Sequence, residues 1–239
     1  MEALIGVLAG DGIGPEVISE GLRILAVVAD GGGHRFQTRH GLIGGAAIDA
    51  TGHAFPPETR ALALEANAVL LGAVGGPKWS SPDSEERPEQ GLLDLRAAMG
   101  VYANVRPVRT HPALHQASPL KAERLAGVDI LVLRELTGGI YFGRKTRTEA
   151  VATDECRYER SEITRLVRMG AEFARSRRKR LTSVDKANVL ETSRLWRSVT
   201  TEVMRAEFPD VSVEHLLVDA AAMHLLSRAA DFDVIVTEN

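Results

Sequence analysis

The sequence predicts an α/β fold built mainly from parallel strands. Three observations carry that expectation. Short continuous apolar runs, such as residues 68–73 and 128–133, read as strands buried on both faces. Stretches with helical apolar spacing alternate with them, and glycine-rich turns stand where the runs end.

Taken in order, residues 3–9 form the first apolar run and end in Gly10-Asp11-Gly12-Ile13-Gly14-Pro15-Glu16. Pro15 suits the first helical position, Ile18, Leu22 and Leu25 fall on one face, and Gly31 is the expected stop. Strand, glycine turn and helix invite a dinucleotide-binding reading. The glycine spacing is G-x-G-x-G, however, and not G-x-G-x-x-G, so tight-turn glycines are the better reading. Residues 34–41 read as a strand, and residues 42–52 show little period. Pro56-Pro57 opens a short helix to Ala66, before the strand at 68–73. Residues 75–90 read as a long loop, a length more typical of functional segments. A helix over 91–99 and a strand over 102–109 follow.

The run 128–133 is a buried strand that delivers Arg134, with a turn at Gly138-Gly139 and then Tyr141. A strand end is a rigid mount for a guanidinium fork that suits a carboxylate, and a nearby phenol can pass a proton. A surface ion pair and an edge-packed tyrosine are the competing reading. Residues 150–158 look like an extended protruding arm. Ser161 is the expected cap of a helix with Ile163, Leu166, Val167, Gly170, Phe173 and Ala174 inward. The basic run 175–180 reads as a solvated helix end. A strand over 181–184 delivers Asp185-Lys186-Ala187-Asn188, where Lys186 is a candidate base. A helix over 192–206 places Leu195, Val199 and Val203 inward. A strand over 211–218 then meets Asp219, which reads first as a helix cap, and residues 232–237 form a last strand.

Composition bounds the function. With 44% apolar and 26% charged residues in 239, wholesale disorder is excluded. A net charge of −3 provides no field to recruit nucleic acid or an anionic membrane. Cys156 is the single cysteine, which excludes a disulfide framework and fits a reducing compartment. No apolar run approaches membrane-spanning length and no signal segment is evident, so a cytoplasmic location is expected.

Seven ordered motifs together resemble the β-decarboxylating dehydrogenases, the isocitrate/isopropylmalate dehydrogenase family, and within it the isopropylmalate branch. They are the stretch 10–16 above, Gly75-Gly76-Pro77-Lys78-Trp79, Gly91-Leu92-Leu93-Asp94-Leu95-Arg96 and Asn104-Val105-Arg106-Pro107. Further on come Arg134-Glu135-Leu136-Thr137-Gly138-Gly139-Ile140-Tyr141-Phe142-Gly143, Val184-Asp185-Lys186-Ala187-Asn188-Val189 and Val218-Asp219-Ala220.

The resemblance implies a two-domain isopropylmalate/isocitrate dehydrogenase-like α/β fold, not a standard Rossmann fold. Residues 1–100 would form the cofactor-side domain and 101–239 the substrate and dimerisation domain. It implies that Arg96, Arg106 and Arg134 bind the malate carboxylates, with Asp219 also at the substrate. Tyr141 and Lys186 would be the catalytic acid and base, and Asp219 a ligand of Mg²⁺ or Mn²⁺. Ile13, Gly76, Pro77, Lys78, Trp79, Glu89 and Asn188 would meet NAD. Leu92 and Leu93 would form an apolar pocket that fits an isopropyl group and disfavours the third carboxylate of isocitrate. A homodimer with shared active sites is also implied.

The same resemblance leads one to expect further metal carboxylates and an adenosine loop beyond residue 239, so that the first domain's C-terminal part is missing here. The alternatives are a related enzyme acting on isocitrate, homoisocitrate or tartrate, or an inactive dimerising, di-acid-binding remnant.

Overall fold

The computed structural model describes residues 1–81, 84 and 86–239. The chain divides into two compact units, Met1–Gly100 and Val101–Asn239.

In the first unit, β1 (Glu2–Gly10), β2 (Arg35–His40) and β3 (Ala68–Ala73) form a parallel sheet in the order β2-β1-β3. The helices are α1 (Gly14–Gly32), α2 (Gly45–Thr51), α3 (Pro57–Glu65) and α4 (Pro88–Met99). Leu8, Ile43, Ala63 and Leu95 make its core. Helix α1 has its proline in the first turn and ends at Gly33, whose φ of 61° lies in the left-handed region open to glycine.

Helix α2 falls in the stretch expected to lack period. Its first amides are satisfied by a residue 34 positions earlier: Asp11 Oδ2 accepts from Gly45 N at 2.7 Å and Oδ1 from Ala46 N at 2.6 Å. A cap supplied from another element leaves no local signal. The expected long loop is shorter than its reading, because residues 77–79 form a 3-10 turn and α4 begins at Pro88. Residues 82, 83 and 85 of that loop lie outside the described residues.

In the second unit the strands are β4 (Ala103–Arg109), β5 (Asp129–Glu135), β6 (Lys145–Arg147), β7 (Ala152–Asp154), β8 (Arg180–Asp185), β9 (Ser212–Leu217) and β10 (Val234–Thr237). Helices α5 (Ala122–Leu125), α6 (Arg160–Arg175), α7 (Glu191–Glu207) and α8 (Val218–Ser227) connect them. The main sheet runs β4-β5-β10-β8-β9, parallel except for antiparallel β4, while β6 and β7 form a separate antiparallel hairpin. Leu131, Leu133, Leu181, Val234 and Val236 pack on one face against Ile163, Leu166, Trp196 and Val199. Ile130, Val184 and Ile235 pack on the other with Ala221 and Phe232. Burial on both faces is why β5 and β10 read as unbroken apolar runs.

Several local expectations are corrected. Glu159, not Ser161, caps α6, in a reciprocal box with Glu162. Phe173 is 37% exposed, and Ala171 takes the inward place. Asp219 does not cap α8: Leu217 holds the cap position and Asp219 sits in the first turn, where its charge suits the helix dipole. The strand expected over 102–109 begins one residue later, and Arg106 is the fourth of the seven residues of β4. The basic run is no free helix end: Arg177 donates to buried Asp233 at 2.8 Å and to Asp129 at 2.9 Å, and Arg175 to Asp210 at 2.7 Å. Among the described residues, no helix is long and apolar enough to cross a membrane.

Candidate active site at the carboxyl edge of the second sheet

Strand register gathers the candidate residues of the second unit. Arg134 of β5 pairs with Thr237 of β10, and Thr237 with Val184 of β8. Asp185 pairs with Leu217 of β9, so Lys186 and Asp219 leave the sheet at the same edge as Arg134. The carboxyl ends of parallel strands are where α/β folds bind ligands. Antiparallel β4 places Asn104 opposite Arg134 and Arg106 opposite Val132, so both arginines lie on one face.

Arg134 is half-buried. Its Nε and Nη2 donate to Asn239 Oδ1 at 3.1 and 2.7 Å, and its guanidinium lies 5.3 Å from the centre of the Tyr141 ring. The ring restricts where the fork can swing, and Tyr141 stays 47% exposed, open to a ligand. Asn239 also donates from Nδ2 to Gly138 O at 2.8 Å and from its backbone N to Tyr158 Oη at 2.6 Å. Burial pushes the Tyr158 phenol well above its ordinary value, the Asn239 amide opposing it, so Tyr158 is a neutral packing and accepting group.

Lys186 donates to Asp219 in an ion pair, and Arg106 Nε donates to Asn104 Oδ1. Lys186 follows a buried anchor: Asp185 accepts from Arg197 Nε and Nη2 at 2.9 and 2.8 Å and from Ala187 N at 2.9 Å. The loop bearing Lys186 and the exposed Asn188 therefore starts from a fixed point. Burial, with the Asp185 charge adding a smaller push, raises the Glu238 carboxyl above its ordinary range.

The remaining candidates belong to the first unit. Leu92 and Leu93 are half-buried in α4, with Arg96 in its last turn. Ile13 is exposed at the start of α1. Lys78 Nζ donates to Asp49 at 2.6 Å and Trp79 Nε1 to the same carboxylate at 3.1 Å, which together hold Asp49 below its ordinary carboxyl range. Those contacts fix the 3-10 turn that follows Gly76 and contains Pro77. Glu89 lies in the first turn of α4 with its carboxyl beside Gly75.

Two groups implied by the resemblance meet these residues differently. The first glycine turn spends two of its own amides on the backbone, Asp11 N on Ala73 O at 2.6 Å and Gly14 N on Asp11 O at 2.8 Å, and its Asp11 carboxylate accepts from Gly45 N, Ala46 N and Gly75 N, which sets a negative charge where a pyrophosphate would sit. Its glycines serve the turn: Gly10 has φ of 76°, and a Cβ there would meet Ala73 O at 2.0 Å. For a divalent cation the fit fails within this chain. Among the described residues no three His, Cys, Asp or Glu side chains cluster, and Asp219 is engaged by Lys186, whereas hard cations take six or more oxygens.

Residues 4–239 match the family model described as isocitrate/isopropylmalate dehydrogenase. The chain belongs to that family. A 3-isopropylmalate dehydrogenase of Anaeromyxobacter dehalogenans is 53% identical across all of this chain and 69% of its own length. One from Shouchella clausii is 55% identical, with 67% of its length covered. An isocitrate dehydrogenase structure from Methylococcus capsulatus superposes with a TM-score of 0.84 at 27% identity, over 99% of this chain and 66% of that one. The chain thus spans about two thirds of the length of the curated relatives it matches.

Sequence reasoning missed Glu135, Asp185, Arg197 and Asn239, which hold the candidates in place. Glu135 carried a signal, an acid ending an apolar strand two residues before Thr-Gly-Gly. Arg197 carried none, as one of many helical arginines.

Proposed function

We propose that the chain serves the NAD-dependent oxidation and β-decarboxylation of 3-isopropylmalate to 4-methyl-2-oxopentanoate. The observation that carries this reading is the register that sends Arg134, Lys186 and Asp219 off one sheet edge, beside Tyr141, in a chain more than half identical to enzymes of that name. Arg134 and Arg106, on one face, take substrate carboxylates, and Arg96 supplies a third guanidinium from α4. Lys186 takes the alcohol proton. Its partner Asp219 positions the Lys186 nitrogen for that transfer. NAD, when bound, accepts the hydride. Tyr141 then protonates the carbon that loses carbon dioxide. Leu92 and Leu93 meet the isopropyl group, while Ile13, Gly76 to Trp79, Glu89 and Asn188 face the cofactor.

Mg²⁺ or Mn²⁺ needs carboxylates beyond Asp219, and among the described residues no others gather beside it, so turnover draws on further ligands. A homodimer is part of the proposal. Val218, Met223 and Leu226 on α8 and Val189 and Leu190 beside Asn188 leave apolar side chains exposed, as a paired surface requires. The direct test joins this chain to the carboxyl-terminal third of the Shouchella clausii relative and follows NADH absorbance with 3-isopropylmalate, NAD and Mn²⁺. Substrate-dependent NADH that Lys186→Ala abolishes supports the reading; NADH formation indifferent to Lys186 and Tyr141 refutes it.

A further inference from the structure

We propose that Glu135 is a positioning residue, whose buried carboxylate, braced by Arg165, fixes the turn at 137–139 and so sets how Arg134 and Tyr141 meet the substrate. The inference rests on the proposed reading that those two side chains face substrate, but the brace itself stands on contacts within the free chain. The Glu135 side chain is fully buried at the end of β5. Its Oε2 accepts from Gly138 N at 2.7 Å, and both oxygens take Thr137 N at 3.1 Å. Oε1 also accepts from the Thr137 hydroxyl at 3.3 Å. That hydroxyl in turn accepts from Arg165 Nη2 at 2.8 Å, and the same nitrogen lies 3.5 Å from Oε1. Arg165 is itself held over the Tyr102 ring, 4.6 Å from its centre.

The other side of the turn is closed by Tyr158 and Asn239. A Cβ on Gly138 would meet Tyr158 Cε1 at 2.9 Å, and one on Gly139, at φ +74°, would meet Tyr158 Oη at 2.7 Å. The turn is thus gripped on both sides, beginning three residues after Arg134 and ending two before Tyr141. A buried carboxylate is costly unless several donors satisfy it, and nearly all of this one's donors belong to the turn. A glutamine of the same shape keeps one acceptor but aims an NH₂ at a backbone N–H, which opens the turn.

The chain has three tyrosines, so 3-fluorotyrosine labelling gives three ¹⁹F resonances. In the free chain, Glu135→Gln is expected to shift and broaden the Tyr141 resonance well below the urea transition. It should also weaken 3-isopropylmalate binding, measured by calorimetry, by roughly tenfold. Arg165→Lys, which keeps the Glu135 charge and drops the guanidinium contacts, should move Tyr141 in the same direction by less, and it decides the question if Glu135→Gln fails to fold. An unmoved Tyr141 resonance in a folded variant, with only a lower urea midpoint, would show Glu135 to be merely structural and overturn the proposal. If wild-type chain binds no 3-isopropylmalate, the functional reading fails, while the ¹⁹F comparison still decides the brace.

Discussion

Removing Arg197 should cost the second unit more stability than removing its partner Asp185. The pair is asymmetric: the Asp185 side chain is fully buried, while that of Arg197 is 36% exposed. Arg197→Ala leaves a buried carboxylate with, among the described residues, the Ala187 amide alone as donor, and stranding a buried charge costs about 3–5 kcal/mol. Asp185→Ala leaves a guanidinium that can turn to water. Its cost is the lost Ala187 contact and some packing, about 2 kcal/mol. Urea unfolding followed by Trp196 fluorescence in a Trp79→Phe background reads this unit alone, because Trp196 is fully buried in its core. With a slope of roughly 2 kcal/mol per molar urea, the midpoint should fall by about 2 M for Arg197→Ala and about 1 M for Asp185→Ala. The double variant should be more stable than Arg197→Ala, since it removes the stranded charge. A double variant as unstable as the sum of the singles, or an Asp185→Ala loss larger than that of Arg197→Ala, would refute the reasoning.

Arg106→Lys should weaken 3-isopropylmalate binding about tenfold by calorimetry, because a planar fork becomes a point charge; unchanged affinity would remove Arg106 from the site. Tyr141→Phe in the fused chain should slow product protonation about a hundredfold, with deuterium from D₂O entering the product without stereospecificity, while the phenyl face still stacks on Arg134 and the urea midpoint holds. His215 is pushed below its ordinary value by burial and by the Arg197 charge, so the unfolded chain binds its proton more readily. Its contribution is therefore lost as pH falls below about 6.5, where the unfolded imidazole starts to protonate. The wild-type urea midpoint should drop from pH 8 to pH 5.5 more steeply than that of His215→Gln, and parallel profiles would contradict the sign.

Much of the fold was legible because it is periodic. The strand at 68–73 appears as read, and β5 and β10 gave themselves away as runs apolar on both faces. What stayed hidden was decided over distance. The first amides of α2 are met by Asp11 in the turn after β1, and Trp196, the largest fully buried side chain among the described residues, stands beside Leu195, which the helical spacing picks out instead. At the site, Arg134 and Lys186 stood out because each ends an apolar run. That they share an edge follows from β10 lying between β5 and β8, which sequence order does not reveal. Phe173 failed for a simpler reason: helical spacing marks a stripe, and residues at its margin are settled by the neighbours they meet.

The central claim concerns which malate this edge serves, and calorimetric titration of the purified chain with 3-isopropylmalate and with isocitrate tests it most directly. One methylene in an apolar pocket is worth about 1–3 kcal/mol, and in the proposed site a third carboxylate facing Leu92 and Leu93 would lose solvation without gaining a partner. The account predicts that 3-isopropylmalate binds at least about tenfold tighter than isocitrate, and that Arg134→Ala abolishes the binding of both. Equal or tighter binding of isocitrate, or binding indifferent to Arg134, would contradict it.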